Sequence, residues 1–175
     1  MNAQYQLSLG YLAPTGTPKG MGVFASRDIE AGEVVEVAPV IQLHTGFKNL
    51  EMDLKRRVFN WERLASIPGG CAIALGYGSV YNHDNPANMR YRSAFDGQAI
   101  TFIAARAIRR GEELTINYNR TGGEPVSDED VWFAVCGVDP LASDNSEDAI
   151  SETKREVEHG LHSGKLSRDA PADDG

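Results

Sequence analysis

The amino-acid sequence predicts a mostly β domain of small sheets, with one inserted helix and a short C-terminal helix. Three observations lead there. Short Val- and Ile-rich runs are bounded by Gly, Pro and Asp. An Asp96-Gly97 pair separates two apolar runs. A pattern Arg-x-Ile-x-x-Gly-Glu occurs twice, at Arg27–Glu33 and at Arg106–Glu112. Each copy reads as a strand end, a turn whose glycine can take positive φ, and a new strand. Two copies exclude a solenoid, and chance likeness between two β-turns is the alternative.

Taken in order, residues 1–18 begin with alternating apolar positions, Tyr5, Leu7, Leu9 and Tyr11, and stop at Pro14, Gly16 and Pro18. Gly20-Met21-Gly22-Val23-Phe24-Ala25 reads as a glycine-flanked strand. A turn at Glu30-Ala31-Gly32 leads into a β run carrying Val34, Val35, Val37, Val40 and Ile41. From Leu50 the apolar positions Leu50, Leu54, Val58, Trp61 and Ala65 recur every three or four residues, predicting one amphipathic helix that Pro68-Gly69-Gly70 ends. Residues 71–81 return to β or loop character. Residues 89–95 and 98–105 are predicted strands, with Asp96-Gly97 as a two-residue hairpin turn. Leu114–Tyr118 is a further short strand. Ser127 is the expected N-cap of a helix with Asp128, Glu129 and Asp130 in its first turn and Gly137 at its end. Beyond Pro140 the chain is polar and acidic, which predicts disorder over 141–175 with at most a transient helix between Glu147 and Glu158.

Composition narrows the class. A chain of 175 residues, 41% hydrophobic and 24% charged, suits one soluble domain with a single core. No apolar run is long enough to cross a membrane, and no secretory signal opens the chain, so a cytoplasmic location is the default expectation. Cys71 and Cys136 stand far apart, and the four histidines show no ligand spacing. Free thiols and no metal site are expected. The net charge is −8, concentrated in residues 141–175, where nine acids meet four bases. That balance argues against nucleic acid and is compatible with a basic peptide or protein partner.

Three segments carry the functional reading. They are Lys19-Gly20-Met21-Gly22-Val23-Phe24, then Gly78-Ser79-Val80-Tyr81-Asn82-His83 running on to Asn88, then Glu113-Leu114-Thr115-Ile116-Asn117-Tyr118. Each alone has an ordinary explanation: a turn, a loop whose side chains hold backbone groups, a packing tyrosine. In this order and spacing they resemble the SET-domain family of protein-lysine methyltransferases, over roughly residues 18–120. The resemblance implies a β-clip-like fold in which the segment ending at Tyr118 passes the Asn82-His83 loop in a pseudoknot-like crossing. It implies an organisation as well: an N-terminal extension over 1–18, a SET domain over 19–120, a closing helical segment over 121–140 and an acidic tail over 141–175.

By the same resemblance the cofactor is S-adenosylmethionine, and the acceptor is a lysine of a protein or peptide, expected to be basic. Gly20 and Gly22 let the main chain around Met21 approach the cofactor, and Asn82 can donate and accept at its zwitterionic end. The main chain at His83 matches the position that meets the adenine edge, while the His83 imidazole is expected to be bonded within the crossing. Tyr118 matches the catalytic tyrosine, placed to orient the amine near the methyl group. Tyr91, Ile116 and Tyr81 are expected along the lysine channel, and aliphatic Ile116 with aromatic Tyr91 suggests mono- or dimethylation. Trp132 or Phe133 is expected to cover the adenine or wall the channel, with simple core packing as the alternative. Glu112, Glu113, Glu124, Asp128, Glu129 and Asp130 are expected near the channel exit.

The sequence also departs from the family pattern. In Asn82-His83-Asp84-Asn85-Pro86-Ala87-Asn88 the proline sits one place early, and Asp84-Asn85 replaces a Ser-Cys pair, which puts the local loop shape in question. Cysteine-rich flanking segments are absent. A catalytically inactive SET-fold module that binds protein, expected like the enzyme to be monomeric, is the competing reading. A carbohydrate- or metal-binding β-clip protein lacks clustered ligand residues here.

Overall fold

The computed structural model describes residues 4–119, 121–128 and 131–136. The Val-rich run after Gly32 forms the longest strand, and the other elements are arranged about it. In chain order the strands are β1 (Gly10–Pro14), β2 (Met21–Ala25), β3 (Val34–Leu43), β4 (Phe59–Asn60), β5 (Cys71–Ala74), β6 (Asn82–His83), β7 (Met89–Ala94), β8 (Ala99–Ala104) and β9 (Thr115–Ile116). The helices are α1 (Met52–Lys55), α2 (Trp61–Ala65) and α3 (Val131–Cys136). β1 and β2 form a hairpin, and β4-β5-β3-β8-β7 form an antiparallel five-stranded sheet. β6 and β9 pair in parallel, Asn82 opposite Thr115 and His83 opposite Ile116. That pairing is the expected crossing, and the fold is mostly β in small sheets.

All six residues of β8 are buried, because the strand is covered on both faces. Trp61, Tyr81, Met89, Ile100, Phe102 and Leu114 fill the core. The β3–β8 register slips between Val34 and Glu36, and there Val35 and Glu36 are both buried. A bulge of this kind re-aims a side chain that plain alternation would leave in water.

The repeated pattern proves to be structural. Ile29 and Ile108 exchange amide–carbonyl bonds of 2.8 and 2.9 Å, so the two turns lie side by side. Arg27 pairs with Glu33, and Arg106 with Glu112.

Three expectations need correction. The stripe from Leu50 to Ala65 is not one helix: α1 and α2 are separate single turns, with β4 between them. Phe59 and Asn60 instead pair with Ala72 and Cys71, and the Asn60 side chain caps α2 by accepting from the Arg63 amide at 3.0 Å. The hairpin between β7 and β8 turns on Phe95-Asp96, both at φ 52°, with Gly97 following, rather than on Asp96-Gly97. The Gly97 amide closes it on Ala94 O at 3.2 Å, and the buried Trp61 indole N–H donates to Gly97 O at 3.1 Å. At the N-terminus Tyr5 and Leu7 are exposed, and the first strand starts at Gly10 and includes Pro14. The predictions for Gly137 and for residues 141–175 lie outside the described residues.

Candidate active site

The crossing is held by asparagines. Asn88 is buried: its Oδ1 accepts from the Thr115 amide at 2.8 Å, and its Nδ2 donates to Glu113 O at 2.7 Å and to Glu112 Oε1 at 3.2 Å. Asn117, fully buried, donates to Asn85 Oδ1 at 3.2 Å and to Ser127 Oγ at 3.1 Å, while its Oδ1 accepts from the Asn119 amide at 2.9 Å. Asn119 in turn accepts from the Trp132 amide at 2.9 Å, which ties the start of α3 to the crossing. α3 begins at Val131, and the expected cap Ser127 accepts from both Asn117 and Asn119 side chains. The Asn85–Pro86 peptide is cis, and the loop is stitched to the later segment by the Ala87 amide donating to Pro125 O at 2.8 Å.

Between these braces Tyr118 is fixed at both ends. Its amide donates to His83 Nδ1 at 3.0 Å, and its hydroxyl donates to Tyr81 O. The His83 ring is therefore bonded inside the crossing, with Tyr118 and Phe133 rings 5.3 and 5.1 Å away. Burial raises the Tyr118 phenol well above its ordinary pKa; Tyr91 and Glu113 reinforce the rise and Arg57 opposes it. The hydroxyl stays a neutral donor at physiological pH.

On one side of Tyr118 a cleft of about 500 Å³ opens, walled by Phe59, Tyr81, Tyr91, Ile116, Tyr118 and Trp132. Tyr91 donates to Asn117 O at 3.1 Å, and burial pushes its phenol up to about 12. Tyr81 is buried beside the cleft, its carbonyl accepting from the Tyr118 hydroxyl. Its hydroxyl points into the core, donating to Glu36 Oε2 at 2.7 Å and bonding Ser8 Oγ at 2.8 Å. The Glu36 carboxyl is raised by burial, against hydrogen bonds from Tyr81 and the Tyr77 amide.

Gly20, Met21, Gly22, Asn82 and Phe133 do not line that cleft. Asn82 Nδ2 bridges Met21 O at 3.0 Å and Glu113 Oε1 at 2.7 Å. A Cβ on Gly22 would lie 2.4 Å from Glu113 Oε1 and 2.8 Å from Thr15 Cγ2, so a larger residue would push the Glu113 carboxylate from its place beside Asn82. Main-chain groups, a primary amide and a carboxylate beside an exposed Met21 suit a zwitterionic amino-acid moiety with its ammonium. The residues present fit the cofactor that the resemblance implies.

The predicted site residues thus divide about Tyr118. Trp132 joins the cleft, its ring 4.7 Å from that of Tyr118, while Phe133 joins His83. Of the acids expected at the channel exit, Glu113 faces Gly22 and Asn82, Glu112 binds Arg106 and Asn88, and Glu129 and Asp130 lie outside the described residues. Lys48, Arg56, Arg57 and Arg63 border the cleft, with Glu62 the single acid among the described lining residues. Sequence reading missed these cations, and Glu36, because an amphipathic-helix pattern and a β pattern each assign such residues to a solvated face. Among the described residues no group of three or more His, Cys, Asp or Glu could hold a metal ion.

A family model described as the SET domain matches residues 20–119. The histone-lysine N-methyltransferase of Schizosaccharomyces pombe specific for H3 lysine 37 is 32% identical over 100 residues, covering 57% of this chain and 67% of that protein. Two solved structures share the fold. A Plasmodium falciparum protein assigned as a histone methyltransferase superposes with a TM-score of 0.52 at 20% identity, covering 66% of this chain and 96% of that one. A chain of an active polycomb repressive complex 2 in its basal state gives 0.53 at 22% identity, covering 65% of this chain and 15% of its own. With more than half its length matched by the family model, the chain belongs to the SET domain family.

Proposed function

We propose that this protein-lysine methyltransferase takes its methyl group from S-adenosylmethionine and delivers it, past Tyr118, to a lysine side chain entering the aromatic cleft. The observation that carries the reading is the position of Tyr118. It lies at the wall between the cleft and the Gly20–Gly22, Asn82 and His83 face, with both its amide and its hydroxyl already bonded.

S-adenosylmethionine supplies an activated methyl on a positive sulfur; everything else falls to the chain. Asn82 and the main chain at Met21 would hold the amino-acid end, with Glu113 at hand for the ammonium. His83 and Phe133 would border the adenine. The Tyr118 hydroxyl, donating to the Tyr81 carbonyl, sets a polar collar at the head of the cleft. Tyr91, Ile116 and Trp132 confine the aliphatic stem of the lysine. A lysine amine has a pKa of about 10.4 in water, and an apolar cleft favours its neutral, nucleophilic form. Positioning of that lone pair is then the main contribution to rate. Tyr91, whose hydroxyl is tethered to Asn117 O, takes room that additional methyl groups would need, so mono- and dimethyl-lysine are the expected products.

Calorimetric titration with S-adenosylmethionine, followed by methyl transfer to a protein lysate with intact chain and Tyr118→Phe, tests the reading. Binding in both, with transfer reduced on the order of 10²-fold in the variant, is expected for loss of a positioning contact. Absence of cofactor binding, or transfer that ignores the substitution, would leave the protein-binding module as the better account. Product masses dominated by trimethyl-lysine would remove the role given to Tyr91.

A further inference from the structure

We infer that the cleft selects a lysine lying in an acidic stretch of its protein substrate, an inference that rests on the methyltransferase reading and names its substrate class. The chain as a whole is acidic, with a net charge of −8, yet the border of the cleft is basic. Lys48 comes from the short turn Phe47–Asn49, Arg56 and Arg57 follow α1, and Arg63 lies on α2. Separate local elements therefore bring four cations to one opening. All four are exposed, and among the described residues none pairs with a carboxylate. Among the described residues the one acid of the lining is Glu62, whose Oε2 accepts from the Gly69 amide at 3.2 Å.

Like charges gathered without partners repel in the free protein, and an acidic chain laid across them relieves that repulsion. Arginine forks suit carboxylates, giving paired, charge-assisted hydrogen bonds. The target lysine would pass between Tyr91 and Trp132 while its neighbours in sequence lie over the cations. A basic tail would meet the same cations as like charges. Nucleic acid is the less suited occupant, because the acidic remainder of the surface opposes an extended polyanion.

The test uses the full chain with S-adenosylmethionine and three fluorescent peptides of equal length. Each has one central lysine, flanked by Asp and Glu, by Ser and Gly, or by Lys and Arg. Anisotropy reads binding and mass spectrometry reads methyl transfer. The acidic peptide is expected to bind about tenfold more tightly than the neutral one, as several exposed pairs acting together allow. The preference should fade toward 1 M salt, where the screening length is about 3 Å. The variant combining Lys48→Glu, Arg56→Glu and Arg63→Glu should reverse it in favour of the basic peptide. Tighter binding of the basic peptide to the natural chain, or an acidic preference that this variant keeps, overturns the inference. Displacement of the acidic peptide by duplex DNA at lower concentration than by the unlabelled peptide reassigns the cations to nucleic acid and overturns it too. An acidic preference in binding with no methyl on any peptide upholds the selection and defeats the enzymatic reading; equal methylation of all three does the reverse.

Discussion

The Arg27–Glu33 turn and the Arg106–Glu112 turn share their wiring bond by bond. In each the glutamate pairs with the arginine six residues earlier and accepts from the amide three residues earlier, at 3.0 and 3.1 Å. Each arginine also donates to the carbonyl of the next residue. The Gly32 amide donates to Ala104 O, the Gly111 amide to Ala25 O, and both alanines return a bond to the glutamate carbonyl of the turn they meet. What differs is the chain that follows. After Glu33 comes β3, which builds the main sheet and carries Glu36 inward. After Glu112 comes the crossing, with Glu113, Thr115, Asn117 and Tyr118. The two continuations then grip Tyr81 from opposite ends, Glu36 at its hydroxyl and Tyr118 at its carbonyl. One rigid unit serves twice as scaffold, and the chemistry comes from the side chains its second continuation delivers.

Asn88→Ala should break the comparison most severely. All the side-chain bonds of Asn88 go to the second turn and its continuation, at Glu112, Glu113 and Thr115. Removing a buried amide with that many partners is expected to cost about 3 kcal/mol, read by urea denaturation. Thr115 would lose its register against β6 and Glu113 its bond to Asn82, so methyl transfer should fall as well. A stability loss under about 1 kcal/mol would mean that the parallel pairing holds without this brace.

The distinction between the two turns was partly legible in the sequence. Their repeated pattern was visible because glycine, isoleucine and the Arg–Glu pair are all local requirements of one turn. The three site segments were visible in the same way, as short strings of fixed residue types. Glu36, by contrast, reads as an outward residue of β3. A bulge turns it inward, and its partner Tyr81 lies far along the chain. Asn117 and Asn119 read as strand-end polar residues, because their partners on the Asn85 loop and near α3 are brought in only by the crossing. The helix expected over Leu50–Ala65 fails for a related reason. Phe59 and Asn60 gain more from pairing with β5 than from another helical turn, and that broken segment carries the cations of the cleft border.

Glycine substitutions sharpen the comparison at smaller cost. Gly32 and Gly111 sit at φ +83° and +80°, and an added Cβ would meet nothing within 4 Å at either. Backbone strain is therefore the whole cost of Gly32→Ala and of Gly111→Ala, about 1–2 kcal/mol in each. Equal losses of stability are expected, with the larger drop in methyl transfer from Gly111→Ala, whose turn leads into Glu113 and Tyr118. Equal drops in activity would erase the distinction between scaffold and site.

Glu36→Gln probes the first continuation through pH. Burial raises the Glu36 carboxyl above its ordinary range, so the folded protein holds that proton more tightly than the unfolded chain. The resulting stability is complete below the unfolded carboxylate pKa and is lost as pH rises through the folded value. Glutamine keeps a hydrogen-bonding head without titrating. Its stability relative to the natural chain should therefore improve between pH 4 and pH 8, read as midpoint denaturant concentration. A flat difference would show that Glu36 ionises without cost inside the sheet.

The smallest effects belong to the two surface pairs, and they test the likeness itself. The hydrogen bond from Arg27, helped by the Glu30 amide, lowers the Glu33 carboxyl. For Glu112 partial burial works the other way, but bonds from Arg106, the Arg109 amide and Asn88 outweigh it, and the carboxyl is again lowered. A lowered carboxyl adds stability above the unfolded pKa and loses it as pH falls through the folded value. Glu33→Gln and Glu112→Gln should each cost about 0.5 kcal/mol or less at pH 7, since exposed pairs are screened. Their deficit should vanish in acid and shrink in 1 M salt. Glu112→Gln alone should also lower methyl transfer, because the charge it removes helps hold Asn88 against the crossing. If Glu33→Gln lowers transfer equally, the first turn reaches the site as directly as the second, through Tyr81 rather than Asn88.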